Sequence, residues 1–330
     1  MVTTTVTSEV IIDEKRCRGC GYCVEFCPRE CLEITKDKIN PMGYAIPVLT
    51  KPEQCNTCGL CVRMCPHWAV EVYLHTGVPG GASTREKIAG PPRLAPTPPF
   101  INCPGCQHPT VGRIIAEVLD ELGLGGKFIA LDGISCGGSS AFSIELADVL
   151  GVYDRPIDIA MAMKRAHPEK IVLAVQNNVK FDTTGVDSFI SALNYGDNIT
   201  IINCNDASYG PWPNSWHAKP LITHIITPEG QELVAEGYPL HTAELAATFK
   251  GVAYSVRGTI TSPDDYELTK NYLRTAFQKQ IDNIGLSFVE VLCACGALSY
   301  EAPLNCLKWI HEEMVTEFPL GEFKNVDQVE

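Results

Sequence analysis

Two runs of cysteine restrict what the N-terminal part of this chain can become. They are Cys17-Arg18-Gly19-Cys20-Gly21-Tyr22-Cys23-Val24-Glu25-Phe26-Cys27-Pro28 and Cys55-Asn56-Thr57-Cys58-Gly59-Leu60-Cys61-Val62-Arg63-Met64-Cys65-Pro66. Both read C-x2-C-x2-C-x3-C-P, the spacing that lets three thiolates converge on one cube of iron and sulfide from a single loop, while the fourth reaches the neighbouring cube. The proline ends the turn. The pattern predicts two [4Fe-4S] clusters, one on Cys17, Cys20, Cys23 and Cys65, the other on Cys55, Cys58, Cys61 and Cys27. Zinc sites use cysteine pairs and disulfide scaffolds are short and exported, so neither explains two matched runs of four. Electron transfer is the expected role of this segment.

The remaining chemistry must fit a chain of 330 residues, 45% of them apolar, enough for two or three globular domains. No apolar run is long enough for a membrane span, and Met1-Val2-Thr3-Thr4-Thr5-Val6 lacks the regions of a signal peptide. A cytoplasmic protein is therefore expected, with its sixteen cysteines kept as thiols or metal ligands by a reducing compartment. Sensitivity to oxygen follows. The net charge of −13 resides in residues 101–330, with 15 basic and 29 acidic side chains against 11 and 10 in residues 1–100. An acidic surface argues against nucleic acid as a partner.

Residues 1–74 read as the cluster domain, with Ile11-Ile12 and Val70-Glu71-Val72-Tyr73 as its outer strands and Cys31 as a small buried residue. Residues 75–100 are rich in Pro, Gly, Ala and Ser and read as a linker that tethers this domain to the next. From residue 101 apolar strands alternate with amphipathic stretches: helices over 110–122, 157–165 and 187–194, strands over 127–131, 170–175, 199–204 and 287–292, and helical spacing again over 304–314. That alternation predicts a parallel sheet covered on both faces, with ligands at the carboxyl ends of its strands. Four stretches sit at such ends, residues 132–138, 176–178, 205–210 and 293–296.

Cys103-Pro104-Gly105-Cys106 opens this second part. A C-x2-C pair alone leaves a redox disulfide, a zinc site and a cluster all open. Cys136 and Cys295, each following a predicted strand, are available to complete four ligands; Cys293 competes with Cys295, and Cys204 and Cys306 read as core residues.

Cys-Pro-Gly-Cys at 103–106, Gly-Ile-x-Cys at 133–136, Asn-Asp-x-x-Tyr-Gly at 205–210 and Val-Glu-Val-Leu-x-x-Cys ending at Cys295 together resemble the beta subunit of 2-oxoacid:ferredoxin oxidoreductases. Residues 11–74 resemble the delta, ferredoxin-like subunit of the same complexes, so the chain looks like a delta-beta fusion. The resemblance implies an α/β fold, a doubly wound, mainly parallel sheet of the thiamine-diphosphate-binding type, preceded by a small α+β domain of the bacterial ferredoxin type. It implies a third [4Fe-4S] cluster on Cys103, Cys106, Cys136 and Cys295, beside thiamine diphosphate held through Mg2+. The implied partners are alpha-like and gamma-like subunits, a 2-oxoacid substrate, and ferredoxin or another electron acceptor, with the use of CoA left open.

The cofactor signature departs from the family. Gln176-Asn177-Asn178 stands where relatives have Gly-Asp-Gly, so Asn177 or Asn178 replaces the aspartate that binds Mg2+, with Asp182 or Asp206 as substitutes. Asn205-Asp206 and Tyr209-Gly210 keep the second element, but Pro211-Trp212-Pro213-Asn214-Ser215 replaces Met-Thr-Gly-Gly-Gln. Ser139 stands where relatives have arginine. His108 matches a motif histidine that faces either the cofactor or only its own loop, and Arg155 reads as a substrate contact or a solvated side chain. These departures open two alternatives: an electron-transfer subunit with a degenerate thiamine domain, and the same chemistry on an unusual substrate such as an arylglyoxylate or oxalate.

Overall fold

The computed structural model describes residues 5–77, 83–94, 102–133, 135–136, 139–140, 149–151, 155–177, 185–206, 208–209, 216–217, 224–226, 232–234, 240–295 and 302–329. In the cluster segment β1 (Thr5–Ile12) runs antiparallel to β4 (Val70–Gly77), with Ile11 opposite Glu71 and Ile12 opposite Val70. A second ribbon joins β2 (Leu32–Ile39) to β3 (Ala45–Leu49). The single-turn helices α1 (Tyr22–Glu25) and α2 (Leu60–Arg63) each start at a left-handed glycine, Gly21 with φ 86° and Gly59 with φ 76°. Glycine takes that conformation without penalty. In both runs it sits just after the second cysteine and turns the third into the helix.

Part of the expected linker is structured. β5 (Ser83–Ala89) adds antiparallel to β4, with Lys87 bonded to Glu71 at 2.5 Å and the Arg85 guanidinium 3.7 Å from the Tyr73 ring. The expected tether is also corrected, because side chains of the cluster segment are built into the second part. Met64 belongs to the same core as Val111 and Ile114, Tyr22 packs with Leu292 and Leu307, and Trp68 Nε1 donates to Pro109 O at 3.1 Å. Arg63 adds an ion pair to Glu267 at 2.6 Å. Composition shows where a chain is loose, and burial of three large side chains overrides it.

The second part is built on seven strands: β6 (Phe128–Asp132), β7 (Val149–Gly151), β8 (Ile171–Asn177), β9 (Thr200–Asn205), β10 (Val252–Thr259), β11 (Leu286–Leu292) and β12 (Gly321–Asn325). Their order is β12-β10-β11-β9-β8-β6-β7, six parallel strands with β12 antiparallel at the edge. Among the helices α3 (His108–Glu121) and α7 (Pro263–Ile281) pack on one face, while α4 (Pro156–Ala166), α5 (Val186–Tyr195) and α6 (Thr242–Ala247) pack on the other. With both faces covered, every residue of β8, β9 and β11 is buried, which is why these strands read as apolar runs. The expected doubly wound, mainly parallel sheet is thus present. α8 (Pro303–Trp309) continues into a π-helical turn over Ile310–Met314, and its buried Cys306, Leu307, Ile310 and Met314 cover Tyr22.

Candidate iron-sulfur and cofactor site

Two cavities lie in the cluster segment, and the eight cysteines of the two runs divide between them. Cys17, Cys20, Cys23 and Cys65 line the first, with His67 in its wall. Cys27, Cys55, Cys58 and Cys61 line the second, with Cys31 beside them. Cys27 and Cys65, the last of each run, have exchanged sides. Burial pushes the thiols up, Cys17 to about 11 and Cys20 and Cys61 to about 12, so without iron they hold their protons. Burial likewise lowers His67 to about 3, leaving a neutral ring. Four thiols around each cavity are the donor set of a four-iron cluster, and binding would displace the protons. Cys58 is exposed, so the second cavity reaches the surface.

The first cavity abuts the Cys103–Cys106 loop. Tyr22, buried beside Cys20, donates its hydroxyl to Gly105 O at 2.9 Å, with Pro303 O at 3.2 Å. Backbone amides at Tyr22 and Gly105 also reach the Cys20 sulfur and partly oppose the effect of its burial. The loop itself is closed by Cys106 N donating to Cys103 O at 3.1 Å and by Gly105 at φ 75°. Gln107 then fastens it to the end of β11: its N donates to Ala294 O at 3.0 Å, and its Oε1 accepts from Ala294 N at 2.8 Å. This pairing sets the Cys103–Cys106 loop beside the segment that follows β11. Cys103 is half-buried, and Cys136 lies in a two-residue strand with its side chain outside the described residues.

The carboxyl ends of β8 and β9 carry the expected cofactor residues. Asn177 closes β8 opposite Cys204, and its buried Oδ1 has no hydrogen-bond partner. Asn205 closes β9 and donates through Nδ2 to Glu290 at 2.7 Å, while the Asp206 carboxylate lies 3.5 Å from His108 Nε2. His108 therefore faces this strand-end site as well as its own loop. An unpartnered amide oxygen and a carboxylate at neighbouring strand ends are hard oxygen donors of the type Mg2+ takes. Asn178, Asp182, Gly210 and residues 211–215 fall outside the described residues; Tyr209 pairs with Trp216 in a short ribbon whose side chains also fall outside. Arg155 is half exposed and bonded to Asp158 and, at 2.6 Å, to Asp187.

Sequence reasoning misses one grouping: Cys204, a core position, and Cys293, the alternative to Cys295, meet His108 in one buried group. Cys204 is fully buried as expected, but the register that sets it beside Cys293 leaves no local signal.

These features define a cysteine-rich, ferredoxin-like segment seated on an α/β domain with a mainly parallel sheet. Residues 16–69 match the family of 4Fe-4S dicluster domains. The chain is 25% identical over 225 residues to the ketoisovalerate oxidoreductase subunit VorA of Methanothermobacter marburgensis, covering 68% of this chain and 47% of the relative. It spans about half the length of the VorA subunits it matches. The 2-oxoglutarate synthase subunit KorB of Methanocaldococcus jannaschii is 25% identical over 256 residues, which cover 70% of this chain and 90% of KorB. The fold resembles that of the 2-oxoglutarate:ferredoxin oxidoreductase from Magnetococcus marinus, with a TM-score of 0.55 at 17% identity over 70% of this chain and 84% of that one. The chain is thus similar to subunits of 2-oxoacid:ferredoxin oxidoreductases and carries in addition a segment that matches 4Fe-4S dicluster domains. No helix among the described residues is long and apolar enough to cross a membrane.

Proposed function

We propose that this chain is the cofactor-binding and electron-relay subunit of a 2-oxoacid:acceptor oxidoreductase that works with alpha-like and gamma-like subunits in the cytoplasm. The observation that carries this reading is the seam at Tyr22 and Gly105, where the Cys17/Cys20/Cys23/Cys65 cavity meets the Cys103–Cys106 loop. Three [4Fe-4S] clusters would then form a line. The first is held by Cys103, Cys106, Cys136 and Cys295 at the strand ends, the next by Cys17, Cys20, Cys23 and Cys65, and the last by Cys27, Cys55, Cys58 and Cys61, where the exposed Cys58 marks the exit to ferredoxin or a similar acceptor.

Thiamine diphosphate, when bound, supplies the chemistry that decarboxylates a 2-oxoacid and makes its electrons available singly. Asn177, Asn178, Asn205 and Asp206 would hold its Mg2+ and diphosphate, His108 would orient Asp206, and Tyr209 and Gly210 are the remaining cofactor contacts of this reading. The buried Oδ1 of Asn177 supports this role, since an orphaned acceptor costs free energy until a cation or donor meets it.

Gln176-Asn177-Asn178 in place of an aspartate-bearing turn favours a second reading, a relay subunit whose thiamine domain serves only as scaffold. An unusual substrate, an arylglyoxylate or oxalate, is the variant that keeps the cofactor, with or without CoA. Iron and thiamine diphosphate assayed on one anaerobically purified complex separate these readings. About twelve iron atoms with one thiamine per chain support the first; about twelve without thiamine establish the relay. About eight would remove the third cluster.

A further inference from the structure

His108, Cys204 and Cys293 come from three separate elements and meet in one place, their ligand atoms all within 4.8 Å of one another. Parallel pairing of β9 and β11 puts the two thiols side by side: Cys204 lies opposite Val291, and Cys293 N donates to Asn205 O at 2.9 Å. His108 opens α3, one residue after the Gln107 that is fastened to Ala294 and, through Nε2, to Ile260 O at 2.8 Å. The histidine is thereby tied to the segment that carries Cys293. All three side chains are shielded from water, at 0% exposure for Cys204, 1% for Cys293 and 2% for His108.

We propose that these three side chains bind a single thiophilic divalent ion, Zn2+ in the first instance. Zinc takes sulfur at about 2.3 Å and imidazole nitrogen at about 2.0–2.1 Å in a tetrahedron, which sets neighbouring donors about 3.3–3.8 Å apart. Without an ion the trio is already gathered within 4.8 Å, so modest side-chain shifts would bring it to that spacing. A four-iron cluster spreads its thiolates over separate iron corners, so the trio suits one ion better than a cube. Two thiolates and a neutral imidazole cancel the charge of a divalent ion, so a filled site leaves no net charge in the interior, and the thiol protons depart on binding. Thiolate and imidazole donors select zinc over magnesium. His108 Nε2 has no hydrogen bond but lies 3.5 Å from Asp206 Oδ2, the placement of a carboxylate that orients a ligating ring. Cys106 Sγ, 3.5 Å from Nδ1, puts the ion beside the Cys103–Cys106 loop. The ion would clamp α3 to the ends of β9 and β11 and fix the floor of the strand-end site. None of this depends on which substrate the complex takes, or on whether it holds thiamine.

The test is zinc and iron quantification on the anaerobically purified complex, followed by X-ray absorption at the zinc edge. About one zinc per chain, in a shell of both sulfur at about 2.3 Å and nitrogen at about 2.0–2.1 Å, is the expected result. The Cys204→Ala/Cys293→Ala variant should lose the zinc and keep its iron, while Cys306→Ser, at a buried thiol outside the trio, should keep both. Absence of zinc after incubation with Zn2+ alone overturns the proposal. So does a sulfur-only shell, which marks zinc occupying an empty cluster site, or zinc retained in the double variant. Should that variant fail to fold, the shell measured on the unaltered complex decides.

Discussion

The side-chain amide of Asn205 donates through Nδ2 to Oε1 of Glu290 at 2.7 Å, and both groups are buried. Glu290 is in turn held by Arg257, whose Nε donates to its other oxygen at 2.8 Å, and Arg257 Nη1 donates to Glu244 at 2.8 Å. The Arg257 guanidinium lies over the rings of Phe318 and Phe323, 5.3 and 5.1 Å from their centroids. A charge with no exposure is thus neutralised by two carboxylates, and one of these fixes which way the Asn205 amide faces. The chain of bonds runs from the sheet edge to the proposed diphosphate site.

This network orders two substitutions. Arg257→Met leaves the fully buried Glu290 without its cation, and breaking a buried pair from one side costs about 3–5 kcal/mol. Glu290→Gln keeps an oxygen for Asn205 and leaves Arg257 its bond to Glu244, so its cost is smaller, about 1–3 kcal/mol. Urea midpoints of the anaerobic complex should fall in that order. A larger loss for Glu290→Gln would mean that the pair does not act through charge.

The crossed quartets make a prediction that pairs of substitutions resolve. Cys27→Ser should strip the cluster of the second run, as Cys58→Ser does, and the double variant should lose no more iron than either single one, about four atoms of twelve. Cys27→Ser combined with Cys23→Ser should lose about eight, although those residues belong to one sequence run. Iron content and the electron paramagnetic resonance of the reduced clusters report both. Loss of four in the second combination and eight in the first would restore each quartet to its own run.

The turn of each cysteine run was legible because the spacing is local: the third cysteine of each run follows a left-handed glycine by two residues, and Gly21 and Gly59 are both visible in the motif. The central strands β8, β9 and β11 were legible because burial on both faces leaves only apolar choices. β10 was not. Its buried Ser255 and Arg257 break the apolar run, and they are tolerated only because Ala243 O, Glu244 and Glu290 lie opposite them in space. β5 was hidden for the reverse reason, being charged and exposed within a stretch of Gly and Pro. The seating of the cluster segment depends on what Tyr22, Met64 and Trp68 meet, and no pattern in their neighbours announces it. Cys204 meets Cys293 through the pairing of β9 with β11, which sets Cys204 opposite Val291, a long-range contact that no local pattern announces.

Gly105 sits where the cavity and the loop meet, and it has no room for a side chain. At φ +75° a Cβ would stand 2.5 Å from Pro303 Cβ and 3.1 Å from the Tyr22 hydroxyl. Gly105→Ala therefore combines about 1–2 kcal/mol of left-handed strain with an overlap that must push α8 or Tyr22 away. Rapid-mixing reduction of the N-terminal clusters by the 2-oxoacid should slow, while their direct reduction by dithionite should not. Gly125→Ala, with nothing within 4 Å of its Cβ, is the silent control. Equal rates in Gly105→Ala and the parent would show that electrons do not cross at this seam.

Asn177→Asp tests whether the strand ends still form a cation site, and the sign of its effect depends on conditions. Asn177 Oδ1 is buried and without a partner. Without a cation a carboxylate there is a desolvated charge, its pKa rises, and the variant should be less stable than the parent by an amount that grows as pH climbs above the ordinary carboxylate range. With Mg2+ and thiamine diphosphate present, the same charge faces a divalent ion, an attraction of several kcal/mol at about 4 Å before desolvation is subtracted. Net binding should tighten roughly tenfold, and a ligand that binds only the folded chain raises its melting midpoint accordingly. Melting curves of the anaerobic complex, with and without Mg2+ and thiamine diphosphate, should therefore show the variant below the parent in the first case and a larger ligand-induced rise in the second. An equal deficit in both would mean that no cation approaches Asn177, leaving the domain as a scaffold for clusters.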